Sequence, residues 1–444
     1  MRLNLQRWMW VAFAVLSPAL PLHAYLAGSW GYVFHIYSLA MVFGVVAYVY
    51  FADALVLAAR IPYFDHLYGH DRVMVFHGNL AGAGLICALV HAGLKVAYYG
   101  VQGTQVAFGI AATALFVLVA LFTLLFMVGS PLQRLPAFAR LRRVGVRRPG
   151  LDYTRLKTFH NLTGVATILA MIHVLMALPT AETNLRLAIM AGWGGMGILA
   201  WIYHKAVRVL LRFRRAYAVT RVESVGDGIT HLKAKPRDGQ SRTRFLPGQF
   251  GYFRILSPAC GTEEHPFTLA SPPGERQLSL VAKALGDYSA ALARVEPGAR
   301  LLFDGPYGRF TPELNAAPYL FVAGGIGITP FLSIVGDWAH REITRPVSLV
   351  WSVRYRRELV DGGLFEGVAR AQSLFTYTPV MTREEGGTAR RVTRELLEPI
   401  VRRRAPENLQ VYVCGPAALL TAVVGIMKDS GVSRRQVHYE SFGS

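Results

Sequence analysis

Six long apolar runs fill the first 211 residues and constrain the fold of this 444-residue chain more than any other feature. A helix needs about 20 mostly apolar residues to cross the hydrocarbon core of a bilayer. The runs of about that length are residues 8–26, 32–57, 73–96, 106–128, 158–178 and 187–211. Beyond Arg212, apolar and polar residues alternate as they do in a water-soluble protein. The sequence therefore predicts a six-helix transmembrane bundle followed by a soluble half that begins near residues 212–217.

Basic residues determine the expected orientation of the predicted spans. The formal net charge is +20, and the positive side chains cluster in the loops on one side of the bundle. These loops include Arg2 and Arg7, then Arg60 and Arg72, then a basic run within residues 134–157. The positive-inside rule places both termini in the cytoplasm. We therefore expect a multi-pass protein of the cytoplasmic membrane with its soluble half inside, and no binding of nucleic acid.

The first apolar run has a second interpretation. Arg2 and Arg7, the apolar stretch and the small residues Ala24 and Ala27 also match a cleavable signal peptide. Its removal would leave the other five spans oriented as before, so the charge pattern leaves both interpretations open. The three cysteines are too few and too scattered for a disulfide framework, which fits a reducing cytoplasm.

Two of the predicted spans carry two histidines each. His77 and His91 lie on the third span, and His160 and His173 lie on the fifth. An ionisable side chain is expensive in hydrocarbon, so it marks a functional site by default. The steps of 14 and 13 residues (91 − 77 and 173 − 160) correspond to rises of about 21 and 20 Å. Because the two spans are expected to run parallel, the four residues predict two bis-histidine b-type haems, His77 with His160 and His91 with His173.

One geometric detail limits this prediction, and one alternative competes with it. Fourteen helical residues return nearly to the same face, whereas thirteen miss it by about 140°. The fifth span must therefore be distorted, with Thr163 and Gly164 as the expected place, or its ligands must reach around the helix. The alternative is that all four histidines bond to backbone carbonyls within the bundle.

The soluble half begins with short strands separated by turn residues. The strand-like segments are residues 218–224, 231–235, 250–256, 277–281 and 300–304. This pattern predicts a small antiparallel β-barrel. A barrel strand with the sequence His265-Pro266-Phe267-Thr268 can place its amides and the threonine hydroxyl along an isoalloxazine edge. The turn from Gly286 to Ser289 offers N–H groups to a pyrophosphate.

From residue 318 the pattern becomes strand, glycine-rich turn and helix. The turn reads Gly324-Gly325-Ile326-Gly327-Ile328-Thr329-Pro330. Glycines there let the backbone approach a nucleotide pyrophosphate at a helix N-terminus. Apolar segments 347–351, 375–380 and 410–413 then alternate with helical stretches, as in βαβ units. We expect an α/β nucleotide-binding domain over residues 316–444, a flavin domain over 216–312 and a transmembrane domain over 1–211.

The order and content of these segments resemble the ferredoxin–NADP reductase superfamily. The HPFT sequence at 265–268 and the histidine spacings resemble its membrane-bound branch, the NADPH oxidases and ferric-chelate reductases. The resemblance implies that FAD is held by His265, Pro266, Phe267, Thr268, Gly286 and Ser289. It implies that the nicotinamide nucleotide is held by Gly324, Gly325, Gly327, Thr329, Pro330, Gly415 and Pro416.

The resemblance also suggests two catalytic residues. A near-terminal aromatic, here Phe442, stacks on the flavin and moves for hydride transfer; an ordinary strand-end phenylalanine is the alternative. Cys414 supports catalysis near the nicotinamide, or is a small buried apolar residue. Arg354 follows the second strand with Arg356 and Arg357, where a 2′-phosphate would lie, and this favours NADPH over NADH.

Together these patterns predict an NAD(P)H-dependent flavohaem oxidoreductase. Electrons would pass from cytoplasmic NAD(P)H through FAD and the two haems to an acceptor at the outer face. Oxygen, giving superoxide, is the favoured acceptor. Lys95, one turn beyond His91, could hold the superoxide or an anionic ferric chelate. A ferric-chelate reductase and delivery to a quinone or a periplasmic protein stay open. A rival hypothesis treats the spans as a haem-free anchor for a flavin reductase.

Overall fold

The structure, a computed structural model, describes residues 2–27, 30–127, 136, 153–177, 184–239, 243–261, 263–383, 390–403 and 406–441. The chain divides into two compact units, Met1–Val209 and Leu210–Ser444. The division falls where the apolar runs of the sequence end.

The first unit is helical. Its helices, with one that continues into the second unit, are α1 Arg2–Leu16, α2 Ala19–Leu26, α3 Ile36–Ala58, α4 Pro62–Tyr68, α5 His70–Tyr99, α6 Thr104–Phe122, α7 Tyr153–His160, α8 Leu162–Met176, α9 Asn184–Ile202 and α10 Arg208–Arg214. Six stretches among the described residues are long and apolar enough to cross a membrane: Trp8–Leu26, Ile36–Ala58, Arg72–Tyr99, Thr104–Phe126, Arg155–Met176 and Asn184–Arg214. They coincide with the six apolar runs of the sequence.

Helix α3 is the most enclosed of these six stretches. Ala40, Val49 and Ala52 on it are fully buried. A Cβ atom added to Gly197 of α9 would lie 2.8 Å from the Cα of Ala52, so α9 packs on α3 with its backbone close. Small residues permit this approach between apolar helices. Helix α3 is thereby enclosed by its neighbours, and its carbonyl groups can accept hydrogen bonds from side chains on adjacent helices.

The fifth apolar stretch is interrupted at Asn161, between α7 and α8. The N–H of Asn161 is shared between the carbonyls of Lys157 (3.2 Å) and Thr158 (3.1 Å), and the N–H of Gly164 bonds to the carbonyl of Asn161 at 3.0 Å. Bonds that span three residues are typical of a 3-10 turn, which is wound more tightly than an α-helix. An interruption therefore lies between His160 and His173, two residues before the expected place at Thr163, and tighter winding there acts to reduce the angular mismatch of a 13-residue step.

The second unit begins with an antiparallel sheet. Its strands are β1 Tyr217–Gly226, β2 Ile229–Pro236, β3 Phe250–Leu256, β4 His265–Thr268, β5 Leu278–Lys283 and β6 Arg300–Tyr307, with the short helix α11 Asp287–Ala291 after β5. They pair in the order β4-β3-β6-β1-β2-β5. The described strands form the expected antiparallel sheet, and its edge strands, β4 and β5, are not paired with each other as a ladder. The chain after β4 approaches β5 through the bond from Ala270 N–H to the Ser279 carbonyl (2.9 Å).

The rest of the unit is an α/β domain. Its strands are β7 Tyr319–Gly324, β8 Val347–Val353, β9 Phe375–Met381, β10 Gln410–Gly415 and β11 Val437–Ser441, and its helices are α12 Thr329–Trp338, α13 Gly362–Ala371, α14 Arg394–Arg402 and α15 Ala417–Asp429. All pairings are parallel, in the order β11-β10-β7-β8-β9. Central strands of such sheets are covered on both faces and read as continuous apolar runs. Strand β7 is buried along its whole length, as its sequence YLFVAG predicts.

Candidate functional site

The structure brings the four histidines of the third and fifth apolar stretches together in two pairs. The ring centroids of His77 and His160 are 6.3 Å apart, and those of His91 and His173 are 6.1 Å apart. Two imidazoles bound to opposite sides of one metal ion, each at about 2 Å, would have centroids about 6 Å apart. Because the pairs follow the same order along both helices, α5 runs parallel to the α7–α8 segment.

Each of the four imidazoles is fixed through Nδ1. His77 bonds to the carbonyl of Ala54 at 2.9 Å, and His91 to that of Ala40 at 2.8 Å, both on α3. His173 bonds to the carbonyl of Gln105 at 2.7 Å. A carbonyl only accepts, so Nδ1 of these three rings carries the proton.

His160 reaches the same state by a different partner. Its Nδ1 lies 3.0 Å from Oγ1 of Thr123, and that hydroxyl donates its proton to the carbonyl of Val119 at 2.8 Å. The imidazole must therefore be the donor to Thr123. With the proton on Nδ1, a neutral ring keeps its Nε2 lone pair to bind a metal ion, and a hydrogen-bonded Nδ1–H is the usual second contact of a metal-bound histidine.

Two glycines leave space for the rings of His91 and His173. A Cβ on Gly44 would lie 2.8 Å from Nδ1 of His91, and one on Gly109 would lie 2.9 Å from Nδ1 of His173. Any side chain at either position would push against an imidazole that is already hydrogen-bonded. Gly44, Gly109 and Thr123 were not singled out by the sequence, because nothing in their local pattern distinguishes them from other small residues in apolar helices.

This donor set fits a haem better than a bare metal ion. Within the described ranges no group of three or more His, Cys, Asp or Glu side chains is placed to hold a metal. Each level supplies two imidazoles, and a porphyrin supplies the remaining nitrogen ligands of its own iron. The carbonyl-bonding alternative is realised through Nδ1, but it leaves Nε2 available, so the two interpretations do not exclude each other.

Lys95 lies at the far end of α5, one turn beyond His91. Its Nζ is 4.0 Å from the ring centroid of Tyr37 and 4.8 Å from that of Tyr99. Aromatic faces attract an ammonium group, so the two rings hold the positive charge in place at the end of the span.

A cavity of about 490 Å³ lies in the second unit, against the antiparallel sheet. All six residues expected to hold a flavin line it: His265, Pro266, Phe267, Thr268, Gly286 and Ser289. Ile326 and Thr329 contribute from the glycine-rich turn. Among the described residues none hydrogen-bonds the buried Oγ1 of Thr268. A buried hydroxyl without a partner is costly, so this atom is suited to a polar ligand edge.

One wall of the cavity contains a stacked pair that the sequence did not reveal. The rings of His265 and Tyr288 stack with centroids 3.8 Å apart, and Nε2 of His265 lies 2.8 Å from a carboxylate oxygen of Glu263. Burial raises the pKa of the Tyr288 phenol, so it stays neutral. These aromatic surfaces give the cavity a wall suited to a flat ring system.

The turn before α11 uses part of its own donor set. Oγ of Ser289 accepts from the N–H groups of Leu285 and Gly286, each at 3.0 Å. The Gly286 amide is therefore used inside the turn. Gly286 and Ser289 still line the cavity, through surfaces other than these groups.

The glycine-rich turn after β7 is built by close backbone contacts. A Cβ on Gly327 would lie 2.3 Å from the carbonyl oxygen of Cys414, and one on Gly324 would lie 2.8 Å from Cδ of Pro416. Gly325 adopts φ +54°, and its carbonyl accepts the indole N–H of Trp351 at 2.9 Å. The end of β7 thus meets the end of β10, and the turn leads into α12 at Thr329 and Pro330.

The remaining predicted residues lie in three different environments. Cys414 is fully buried in the apolar core, and burial raises the pKa of its thiol, which fits the small-apolar alternative better than an exposed catalytic group. Gly415 and Pro416 follow it at the carboxyl end of β10. Arg354 follows β8 with an exposed side chain. Phe442 lies outside the described residues.

Two family models match the second half of the chain. Residues 216–311 match an FAD-binding domain, and residues 321–425 match an oxidoreductase NAD-binding domain. Both domains are of the ferredoxin reductase-like kind, and together they contain most of the flavin- and nucleotide-site residues described for this half. The second half therefore carries the two domains of an NAD(P)H-dependent flavin oxidoreductase.

Curated relatives are similar over about half of the chain. The reductase component of propane 2-monooxygenase from Rhodococcus jostii is 29% identical over 240 residues, which covers 51% of this chain and 63% of the relative. The electron transfer component of 2-halobenzoate 1,2-dioxygenase from Burkholderia cepacia is 28% identical over 46% of the chain and 61% of its own length. A flavohemoprotein from Burkholderia sp. is 30% identical over 52% and 60%. The chain thus spans less than two thirds of each of these relatives.

Solved structures give similar matches. The FAD/NAD-binding domain of a nitric oxide dioxygenase from Vibrio cholerae has 19% identity and a TM-score of 0.44, covering 52% of this chain and 99% of that one. A flavohemoglobin from Malassezia yamatoensis has 19% identity and a TM-score of 0.48, covering 93% and 97%.

Proposed function

We propose that this protein is a membrane-bound flavohaem oxidoreductase that moves electrons from cytoplasmic NAD(P)H through FAD and two b-type haems to an acceptor at the outer face. The observation that carries the proposal is the two-level histidine arrangement, with centroids 6.3 and 6.1 Å apart. When bound, FAD would accept a hydride and release single electrons, and the haems would carry those electrons one at a time.

The protein's own residues supply binding, orientation and the exclusion of water. The carbonyls of Ala40, Ala54 and Gln105 fix three of the imidazoles and raise their basicity as ligands. Apolar helices surround both levels, which keeps the path out of water. The cavity with Thr268 receives the flavin, and the turn at Gly324–Ile328 receives the nucleotide phosphates.

The acceptor is proposed to be oxygen, with one NAD(P)H reducing two O2 molecules to two superoxide ions and leaving one proton on the cytoplasmic side. Lys95 supports this choice because its charge, held between Tyr37 and Tyr99, would stabilise the superoxide anion as it forms at that end of α5. An anionic ferric chelate would be attracted by the same group, so ferric-chelate reduction is the second candidate. Electron delivery to a quinone or a periplasmic protein would not need this charge.

The location follows from the apolar stretches and the basic loops. We propose a multi-pass protein of the cytoplasmic membrane with the reductase half inside the cell, and NADPH as the preferred nucleotide because Arg354 is exposed after β8. Phe442 keeps its proposed role beside the flavin, whereas the buried Cys414 is proposed as a small apolar packing residue near the nicotinamide site.

An absorption spectrum of the purified protein tests the proposal. We expect a reduced-minus-oxidised spectrum of b-type haem, with two haems and one FAD per chain. A protein with FAD but without haem would support the hypothesis that the helices only anchor a flavin reductase, and it would contradict electron transfer through haems. Turnover in sealed vesicles, with NADPH on one side and either oxygen or a ferric chelate on the other, then identifies the acceptor.

A further inference from the structure

The flavin cavity and the nucleotide domain are joined by a small polar interface. It lies between the β1–β2 and β5 edge of the antiparallel sheet and residues 354–361 after β8, which we call the nucleotide loop. Arg357 Nε is 2.5 Å from a carboxylate oxygen of Asp227. A Cβ on Gly226 would lie 2.7 Å from the carbonyl oxygen of Arg357, so the two backbones are in close contact.

A buried ion pair lies at the centre of this interface. Lys283, at the end of β5, donates from Nζ to Oε1 of Glu358 at 2.7 Å. The Glu358 side chain is 5% exposed and that of Lys283 is 22% exposed. Lys283 also lines the flavin cavity. One end of the pair therefore touches the flavin site, and the other lies in the nucleotide loop.

The second oxygen of Glu358 is also used. Oε2 accepts the backbone N–H of Arg354 at 2.9 Å. The carboxylate of Glu358 thus connects Lys283 in the cavity with the main chain of Arg354, the residue expected to contact the nucleotide. Burial acts to raise the pKa of Glu358, but the bonds from Lys283 and from the Arg354 N–H outweigh it, so the pKa lies below its ordinary value and the carboxylate is charged.

Removing one member of such a pair has a larger effect than the pair's net contribution to stability suggests. The remaining charge stays buried without a partner, which is destabilising, and we expect the backbone around it to shift in response. The nucleotide loop is the segment expected to shift, because Glu358 holds Arg354 by its main chain, whereas Lys283 lies in strand β5, which pairs with β2 along its length. The loss of either charge should therefore displace Arg354 more than the flavin cavity.

We propose that Lys283 and Glu358 form a positioning pair that sets the place of Arg354 for the nucleotide's phosphate and couples nucleotide binding to occupation of the flavin cavity. The inference rests on the NAD(P)H-binding part of the proposed function. Coupling between two sites is reciprocal, so a nucleotide that orders the loop also slows the loss of flavin.

Calorimetric titration of the full-length, FAD-loaded protein with NADP+ and with NAD+ tests the pair. Lys283→Met and Glu358→Gln are each expected to raise the Kd for NADP+ about tenfold, the effect of losing one charge-assisted hydrogen bond. The double variant should lose no more than the larger single effect, because both changes break one pair. Lys283→Arg keeps the charge and donor and should bind like the wild type.

Glu398→Gln is the matched control. Glu398 forms an exposed pair with Arg402 on α14 (2.6 Å), so the same chemical change occurs away from the interface. It should leave Kd unchanged. Wild-type affinity in folded, FAD-containing Lys283→Met and Glu358→Gln proteins would overturn the proposal, as would additive losses in the double variant.

The rate of FAD release gives a second readout that does not depend on turnover. NADP+ should slow FAD release from the wild type several-fold and have no effect in Lys283→Met. Unchanged NADP+ affinity in Arg354→Ala would also overturn the inference. None of these titrations needs haem or an acceptor. A protein without haem would therefore refute the proposed electron transfer through haems, and the titrations would still test the role of Lys283 and Glu358.

Discussion

The two halves of the molecule build their sites by opposite means. In the helical half, four side chains form both candidate sites, and the backbone accepts hydrogen bonds from Nδ1 of three of them. In the reductase half, the backbone forms much of the nucleotide site, through Gly324, Gly327 and their contacts with the end of β10. An apolar helix has no free main-chain donors in its middle, so it must use side chains. A strand-to-helix turn leaves amides free and can use them directly.

The largest expected effect comes from removing one of the proposed haem ligands. His91→Ala or His173→Ala should eliminate one of the two haems, lower transmembrane electron transfer by at least about 100-fold and leave dye reduction by the flavin intact, because a single imidazole cannot replace a bis-histidine site. Haem content per chain and vesicle turnover measure these changes.

Cys87→Ala on the same helix is the control for that comparison, since Cys87 lies between the two ligand levels and is half-buried. Full haem content in either histidine variant would show that the pairs are structural. The contrast between the two halves would then fail, because the helical half would contain no cofactor site.

A smaller effect is expected from the glycines beside the rings. Gly44→Ala places a methyl group 2.8 Å from Nδ1 of His91, so the ring must turn away from the carbonyl of Ala40. We expect haem occupancy of that level to fall about tenfold, as when a ligand's outer hydrogen bond is lost. Gly93→Ala on α5 meets no atom within 4 Å and should retain full occupancy. Equal spectra for the two variants would contradict the described packing.

A substitution in the flavin cavity is expected to have an effect similar to or smaller than that of Gly44→Ala. Thr268→Val keeps the shape of the side chain and removes the buried hydroxyl, which has no partner among the described residues. We expect the Kd for FAD to rise roughly five- to tenfold, the effect of one hydrogen bond of about 1 kcal/mol. Thr220→Val, which removes an exposed hydroxyl bonded to the Lys233 carbonyl, is the control. Tighter FAD binding in Thr268→Val would mean that the hydroxyl faces no ligand.

The smallest effect is a pH dependence of stability. The folded pKa of Glu358 lies below its ordinary value of 4.5, so its contribution is complete above that value and is lost as pH falls through the folded pKa. The unfolding temperature of the reductase half should therefore fall more steeply with decreasing pH in the wild type than in Glu358→Gln, between about pH 5 and pH 3. Parallel curves for the two proteins would show that the ion pair contributes nothing.

Much of the helical half could be predicted because few kinds of residue are tolerated in apolar helices. The six stretches, the pairing of His77 with His160 and the break between His160 and His173 follow from run lengths and from counting residues per turn. Gly44, Gly109 and Thr123 could not be found in this way. Their roles depend on which helix faces which, and no local pattern specifies that.

In the reductase half, the six residues predicted to hold a flavin line one cavity, but two details of this half needed three-dimensional information. Sheet closure depends on twist and on the pairing of strands far apart in sequence, so the alternation of β1 to β6 did not reveal the unpaired edges. The Ser289 hydroxyl occupies the amide of Gly286, which the motif offers to a ligand, together with that of Leu285. Lys283 and Glu358 are 75 residues apart, and nothing in either neighbourhood suggests the other.

The interruption at Asn161 makes the spacing between His160 and His173 adjustable. In an unbroken helix, adding or deleting one residue between two ligands rotates one of them by about 100°. A short, tightly wound junction can absorb such a change by winding more or less. Related chains could therefore differ by one residue here and still present both imidazoles to α5, whereas the unbroken helix α5 permits no such variation between His77 and His91.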